Sequence, residues 1–200
     1  MDWEQRYLAS DTPWDLGQAA PPLLELAREK PALFRPHRRL LVPGCGLGHD
    51  ARFLASLAPE VTAVDISPEA LAQARALDPE RSADWQEGDF LARDEPHEQP
   101  YDLLWEHTCF CAIPPERRGD YVASAHHHLK PGGVLLGLFF LDPPNAFEDG
   151  PPFGVNREEL RELFGRFFIL EWENPAPPSA PERKGRESLM LWRRLGACWD

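Results

Sequence analysis

The sequence predicts an α/β fold built on a mostly parallel sheet. Three observations predict it: short apolar runs alternate with helix-like ones, each apolar run ends in turn residues, and the first such turn is rich in glycine. Runs suited to buried strands lie at Arg39 to Val42, Val61 to Asp65, Tyr101 to Glu106 and Val134 to Leu141. Helical patterns follow at His49 to Ala58, Pro68 to Leu77, Pro115 to His128 and Arg157 to Phe164, with Pro68 and Pro115 suited to a first helical turn. Strand and helix in alternation imply crossover connections, which put helices on both faces of the sheet.

The third helix should stop at Lys130-Pro131-Gly132-Gly133. "ADWQEGDF" adds a strand-like piece, and Arg166 to Trp172 and Ser188 to Arg194 add two more, which makes seven. The last two are joined without a helix, so they are expected as an antiparallel pair closing one edge. Between them "ENPAPPSAPERKGRE" is too rich in proline and charge to be expected to pack well. Residues 1–36 precede the first strand and carry Trp3, Tyr7 and Trp14, a heavy aromatic load for a leader. No repeat, heptad or dividing linker is visible, and 200 residues suffice to bury roughly 70% of the unfolded surface, so residues 1–200 are expected as one domain.

Composition narrows the function. A formal charge of −12 works against an extended phosphate backbone, which is bound through lysine and arginine, so nucleic acid is not an expected partner. The longest apolar stretch, Gly133 to Leu141, is half of what a bilayer span needs, and the N-terminus has no basic n-region, so neither membrane nor export is expected. Cys45, Cys109, Cys111 and Cys198 form no disulfide framework, which suits a reducing cytoplasm. They also lack the spacing of a zinc site. His126, His127 and His128 point about 100° apart on a helix and cannot converge on one ion.

"LVPGCGLGHDARFLA" puts Gly44, Gly46 and Gly48 at the end of the first strand, where open parallel sheets place ligands and where a missing Cβ lets a ligand touch backbone amides. His49 stands where G-x-G-x-x-G would need glycine, which disfavours a nicotinamide or flavin, and no Gly-Lys-Ser/Thr follows to make a P-loop. Asp50 at the helix start would repel a pyrophosphate. Asp65 ends the second strand 21 residues after Gly44, the separation at which a carboxylate accepts from both ribose hydroxyls, while Ser67 serves as the helix cap. Asp89 and Phe90 end the next strand, placed to accept the adenine amino proton and to cover the base. Together these ends describe a pocket for a nucleoside without phosphates.

These residues resemble the class I S-adenosylmethionine-dependent methyltransferases, and within them the thiopurine S-methyltransferase-like group of thiol, thiocyanate and halide methyltransferases. The resemblance runs through "WEQRYLASDTPWDLG", "LVPGCGLGHDA", "VDISPEAL", "GDF", "EHTCFCAIPPERR", "LKPGG" and "GPPF". Val42 stands where most methyltransferases place an acid, a marker of this branch. The resemblance implies a Rossmann-like seven-stranded sheet and S-adenosyl-L-methionine as cofactor. It implies that Trp3, Tyr7 and Trp14 form a lid, that Gly44 and Gly46 approach the methionine part, that Asp65 and Ile66 hold the ribose, and that Asp89 and Phe90 hold adenine. Aromatic rings suit a sulfonium, since cations are drawn to their faces.

"EHTCFCAIPP" departs from the group's Asp-Tyr-Thr-Phe-Phe-Cys-Ala at His107 and Cys109, next to cofactor and acceptor. Glu106 and His107 are the candidate bases, with cofactor and lid contacts as their other readings. Phe110, Arg117 and Phe153 are expected on the acceptor side, Arg118 beside them, and "DPPNAFEDGPPFGV" as an acceptor wall. The expected function is methyl transfer to a small sulfur nucleophile, a thiol or thiopurine-like acceptor, by a monomer or small homo-oligomer. Transfer to halide, thiocyanate or a selenium or tellurium species is the alternative, and a cofactor-binding module without catalysis is a further one.

Overall fold

The computed structural model describes residues 1–34, 39–92, 100–142 and 150–196. Seven strands form one sheet: β1 (Arg39–Pro43), β2 (Glu60–Asp65), β3 (Asp84–Glu87), β4 (Tyr101–His107), β5 (Leu129–Phe140), β6 (Phe168–Asn174) and β7 (Glu187–Arg194). Their spatial order is β3-β2-β1-β4-β5-β7-β6. β1 to β5 run parallel, with Leu40 opposite both Val61 and Leu103. β7 lies antiparallel to both β5 and β6. The antiparallel pair thus closes one edge as the sequence implies, with β7 inserted second from the edge and β6 outermost.

Among the described residues six α-helices accompany the sheet: α1 (Trp3–Leu8), α2 (Pro21–Glu29), α3 (His49–Ala55), α4 (Pro68–Ala76), α5 (Arg118–His128) and α6 (Arg157–Phe164). Five of the six starts have a local cause. Asp2 accepts from Gln5 N at α1, Ser67 from Ala70 N at α4, and Asn156 from Glu159 N at α6, while prolines open α2 and α4. Gly48 precedes α3 with φ of 72°, a conformation closed to most side chains.

Alternation along the strands divides the core. Leu40, Val42, Trp105 and Leu136 face one layer with Leu23 and Leu26 of α2 and Ala51 and Leu54 of α3. Leu41, Leu104, Leu135 and Trp192 face the other with Tyr121 of α5 and Phe164 of α6.

Two expectations need correction. β5 begins at Leu129 and not at Val134: Tyr101 pairs with Leu129 and Leu103 with Val134, so Lys130 to Gly133 bulge out inside the strand. The proline-rich connection before β7 also packs better than its composition predicts. Pro177, Ala180 and Arg183 are buried in it, because a guanidinium with enough acceptors can be taken out of water.

Candidate active site

A cavity of about 910 Å³ opens over the C-terminal ends of β1 to β4. The glycine turn forms its floor. Gly44 and Gly46 have φ of 57° and 51°, and a Cβ on either would lie 2.7 Å from a neighbour, Cys109 Sγ for Gly44 and the Tyr7 hydroxyl for Gly46. Both the backbone conformation and the lack of space therefore call for glycine.

Asp65 is held at the tip of β2, where its carboxylate accepts from Gly46 N at 2.8 Å and from Ser67 N at 2.9 Å. Burial raises its carboxyl above the usual value, opposed by these N–H donors. Ile66 beside it is exposed, and Asp65, Ile66, Asp89 and Phe90 all line the cavity. Asp89 accepts from Leu91 N at 2.9 Å. The Phe90 ring is buried between Tyr121 and His128, with centroids 5.1 and 5.3 Å away.

The N-terminal segment closes one side. Trp14 packs edge-on against Trp3 at 5.3 Å and Tyr7 at 5.8 Å, and its indole N–H donates to the Tyr7 hydroxyl at 3.2 Å. Arg6 lies 4.4 Å above the Trp14 ring. All three aromatics line the cavity. Glu4 of α1 docks on α4, accepting from Ser67 Oγ at 2.5 Å and Glu69 N at 3.1 Å. A carboxylate at a helix N-terminus is favoured by both the unpaired N–H groups and the dipole.

The opposite side is built from Ile113, Pro114, Pro151, Pro152, Phe153 and Phe140. Phe153 N donates to Cys111 O at 2.8 Å. Arg118 points away from the cavity: it is buried, pairs with Glu159 at 2.5 Å, and donates to Gly154 O at 2.8 Å, so it secures this wall from behind. Arg117 lines the cavity, half-exposed, and pairs with Asp120 at 2.9 Å. The rest of the expected wall, 143–149, lies outside the described residues, as does Cys198.

Two expected site residues fall elsewhere. Glu106 and Phe110 are buried below the cavity and are not in its lining. Side chains alternate across a strand, so Glu106 points to the sheet face opposite Trp105 and His107. It accepts from Phe110 N at 2.7 Å and from the Tyr121 hydroxyl, and burial pushes its carboxyl up to about 7. Phe110 packs edge-on against Tyr121 and Phe139 in the core.

His107 does line the cavity, but both ring nitrogens are engaged: Nδ1 lies 2.8 Å from Asp50 Oδ2 and Nε2 lies 2.9 Å from Arg183 Nη1. The sequence reading missed Arg183 as a site residue. It is buried and lines the cavity from the β6–β7 connection, with its guanidinium 5.8 Å above Phe140 and donating to Trp14 O at 2.6 Å. Only a charged residue buried in a proline-rich stretch marked it, and burial is not legible in such a stretch. Cys45, Cys109 and Cys111 also line the cavity as free thiols; burial pushes all three up, Cys111 to about 12.

The description "Thiopurine S-methyltransferase" belongs to the family profile that matches residues 1–176. Thiocyanate methyltransferase 1 of Arabidopsis thaliana is 34% identical over 96% of this chain and 84% of its own. A thiopurine S-methyltransferase of Xanthomonas campestris is 30% identical over 82% of this chain and 80% of its own. Among solved structures, N-methyltransferase NodS of Bradyrhizobium japonicum, in complex with S-adenosyl-L-homocysteine, superposes with a TM-score of 0.72 at 18% identity, covering 95% of both chains.

Proposed function

The chain belongs to the thiopurine S-methyltransferase family, and from that premise we propose that it transfers the methyl group of S-adenosyl-L-methionine to a small sulfur nucleophile, a thiol or thiopurine-like acceptor. The observation that carries this reading is the division of the cavity: acids and an uncharged glycine turn at one end, an apolar wall with a buried arginine at the other. Asp50, Asp65 and Asp89 around the turn disfavour a pyrophosphate and suit a ribose, an adenine and a cation. In this reading Asp65 and Ile66 hold the ribose, Asp89 and Phe90 the adenine, and Gly44 and Gly46 the methionine part, while Trp3, Tyr7 and Trp14 close over them as a lid.

S-adenosyl-L-methionine supplies a methyl group already activated on a sulfonium. The protein contributes alignment and exclusion of water, and alignment of two reactants is worth roughly 7 to 11 kcal/mol. Glu106 is outside the cavity and His107 offers no free acceptor atom, so neither serves as base. A small thiol with a pKa near 8.5 is a few per cent thiolate at neutral pH and enters as the nucleophile unaided. Arg183 and Arg117 favour its charge. The cavity's own thiols stay protonated through burial and do not compete as acceptors.

Calorimetry with S-adenosyl-L-homocysteine and with NAD tests the cofactor: heat with the first and none with the second is expected, and the reverse would remove the reading. A panel of thiols, bisulfide, thiopurines, thiocyanate and iodide tests the acceptor. Thiocyanate is the second reading, supported by the plant relative and by the buried guanidinium; turnover of it alone would replace the first. No helix among the described residues is long and apolar enough to cross a membrane. The reading includes one domain in a reducing cytoplasm, acting as a monomer or small homo-oligomer on small molecules without nucleic acid.

A further inference from the structure

The hydrogen bonds around His107 form a circuit that leaves the N-terminal segment and returns to it. Ala20 N donates to Asp50 Oδ1 at 2.7 Å, and Asp50 Oδ2 lies 2.8 Å from His107 Nδ1. His107 Nε2 lies 2.9 Å from Arg183 Nη1, and Arg183 Nη2 donates to Trp14 O at 2.6 Å. The circuit crosses α3, the tip of β4 and the β6–β7 connection, and it fixes residues 14 and 20 together.

Chemistry assigns each proton in it. A guanidinium carries donors only, so Nε2 of His107 must accept; a carboxylate accepts only, so Nδ1 must donate. The ring is therefore neutral, in the Nδ1–H form. Asp50 is anchored independently, since its Oδ2 also accepts from Trp105 Nε1 at 2.8 Å. The Arg183 guanidinium also has an ion-pair partner in Glu187, 3.7 Å away. The imidazole spans from the fixed carboxylate to the arginine facing the acceptor end.

We propose that His107 is a positioning residue, a neutral relay that orients Arg183 from Asp50 and thereby clamps residues 14–20 over the cavity. A base at this position would need a free nitrogen, which the circuit uses up. A phenyl ring at 107 would break both links, leaving Arg183 one acceptor short and Asp50 without one of its donors. An amide at 107 retains a donor and an acceptor.

The kinetic consequence rests on the methyl-transfer reading; the structural consequence does not. In protein labelled with ¹⁵N-histidine at pH 7.5, the His107 ring, assigned by its disappearance in His107→Gln, is expected as the Nδ1–H tautomer. An Nε2–H tautomer or a doubly protonated ring would overturn the proposal on the wild-type protein alone. Hydrogen exchange at the Ala20 amide is expected to quicken about tenfold in His107→Phe and by less than about threefold in His107→Gln, the scale of one lost hydrogen bond. Equal exchange in all three proteins would overturn it.

With an acceptor found, His107→Phe should raise the acceptor KM more than it lowers kcat, and His107→Gln should recover most of the loss. A fall in kcat of about 10² or more in His107→Gln, the scale of a lost general base, with unchanged exchange would make His107 a base and not a relay. Failure of the wild type to bind S-adenosyl-L-homocysteine would overturn the methyl-transfer reading and leave the tautomer and exchange results standing.

Discussion

The two ends of the cavity are held by different means. At the glycine end the contacts are short in sequence and end on main-chain N–H groups: Asp65 accepts from Gly46 N and Ser67 N, 19 and 2 positions away, and the turn itself is main chain at positive φ. At the acceptor end they are made by arginine side chains between distant segments, with Arg183 reaching the His107 ring and Trp14 O, and Arg118 reaching Glu159 and the 153–154 carbonyls. A backbone cradle tolerates change around it but not within it. A side-chain framework can be re-cut one residue at a time.

The sharpest break in that contrast is Asp65→Ala. It orphans the buried N–H groups of Gly46 and Ser67 and removes the proposed ribose acceptor, at about 1–3 kcal/mol for each group left unpaired. Calorimetry should find S-adenosyl-L-homocysteine binding weakened by about 100-fold or more, and a change below about threefold would mean that the cradle does not depend on this acid.

Next is Glu106, the buried acid beneath the acceptor end. Its carboxyl rises from the ordinary 4.5 to about 7 on folding, so the native state keeps its proton longer than the unfolded chain. The stability it contributes is full below about pH 4.5 and is lost as pH rises through about 7. At 1.4 kcal/mol per unit that is a fall of about 3 kcal/mol across the window. Urea unfolding of Glu106→Gln at several pH values should be flatter there than the wild type; parallel curves would contradict the assignment.

Gly46→Ala should weaken cofactor binding about tenfold, through a positive φ costing about 1–2 kcal/mol and a Cβ pressed against the Tyr7 hydroxyl. Adding Tyr7→Phe removes the contact but not the strain, so it should restore part of the loss; full restoration would show that φ is unimportant here. The smallest effect is expected for Arg117→Ala, a half-exposed pair worth about 0–1 kcal/mol to stability. It should leave cofactor affinity within about threefold and raise KM for an anionic acceptor; equal shifts in both would blur the division between the two ends.

That contrast also decides what the sequence disclosed. The places of Gly44, Asp65 and Asp89 at the cavity were legible because each sits at a strand tip, and spacing along the chain carries the geometry. Arg183 and Asp50 were not read as partners because their contacts span large separations, 169 positions from Arg183 to Trp14 and 57 from His107 to Asp50. Glu106 was misplaced by one side of a strand: its neighbours Trp105 and His107 face Asp50, and the alternation turns it toward Tyr121. The parallel order of the first five strands followed from the alternation of runs. The insertion of β7 between β5 and β6 did not, since no local pattern states which neighbour a returning strand will choose.

Glu4 supplies the acceptor that Ser67 and Glu69 use at the start of α4, so the first helix of the chain completes the terminus of a later one. Glu4 lies 63 positions from Ser67, so this contact closes a long stretch of chain that includes β2 and the glycine turn. Any swinging away of that helix strips a cap from its neighbour, and this penalty gives the closed arrangement a stability of its own.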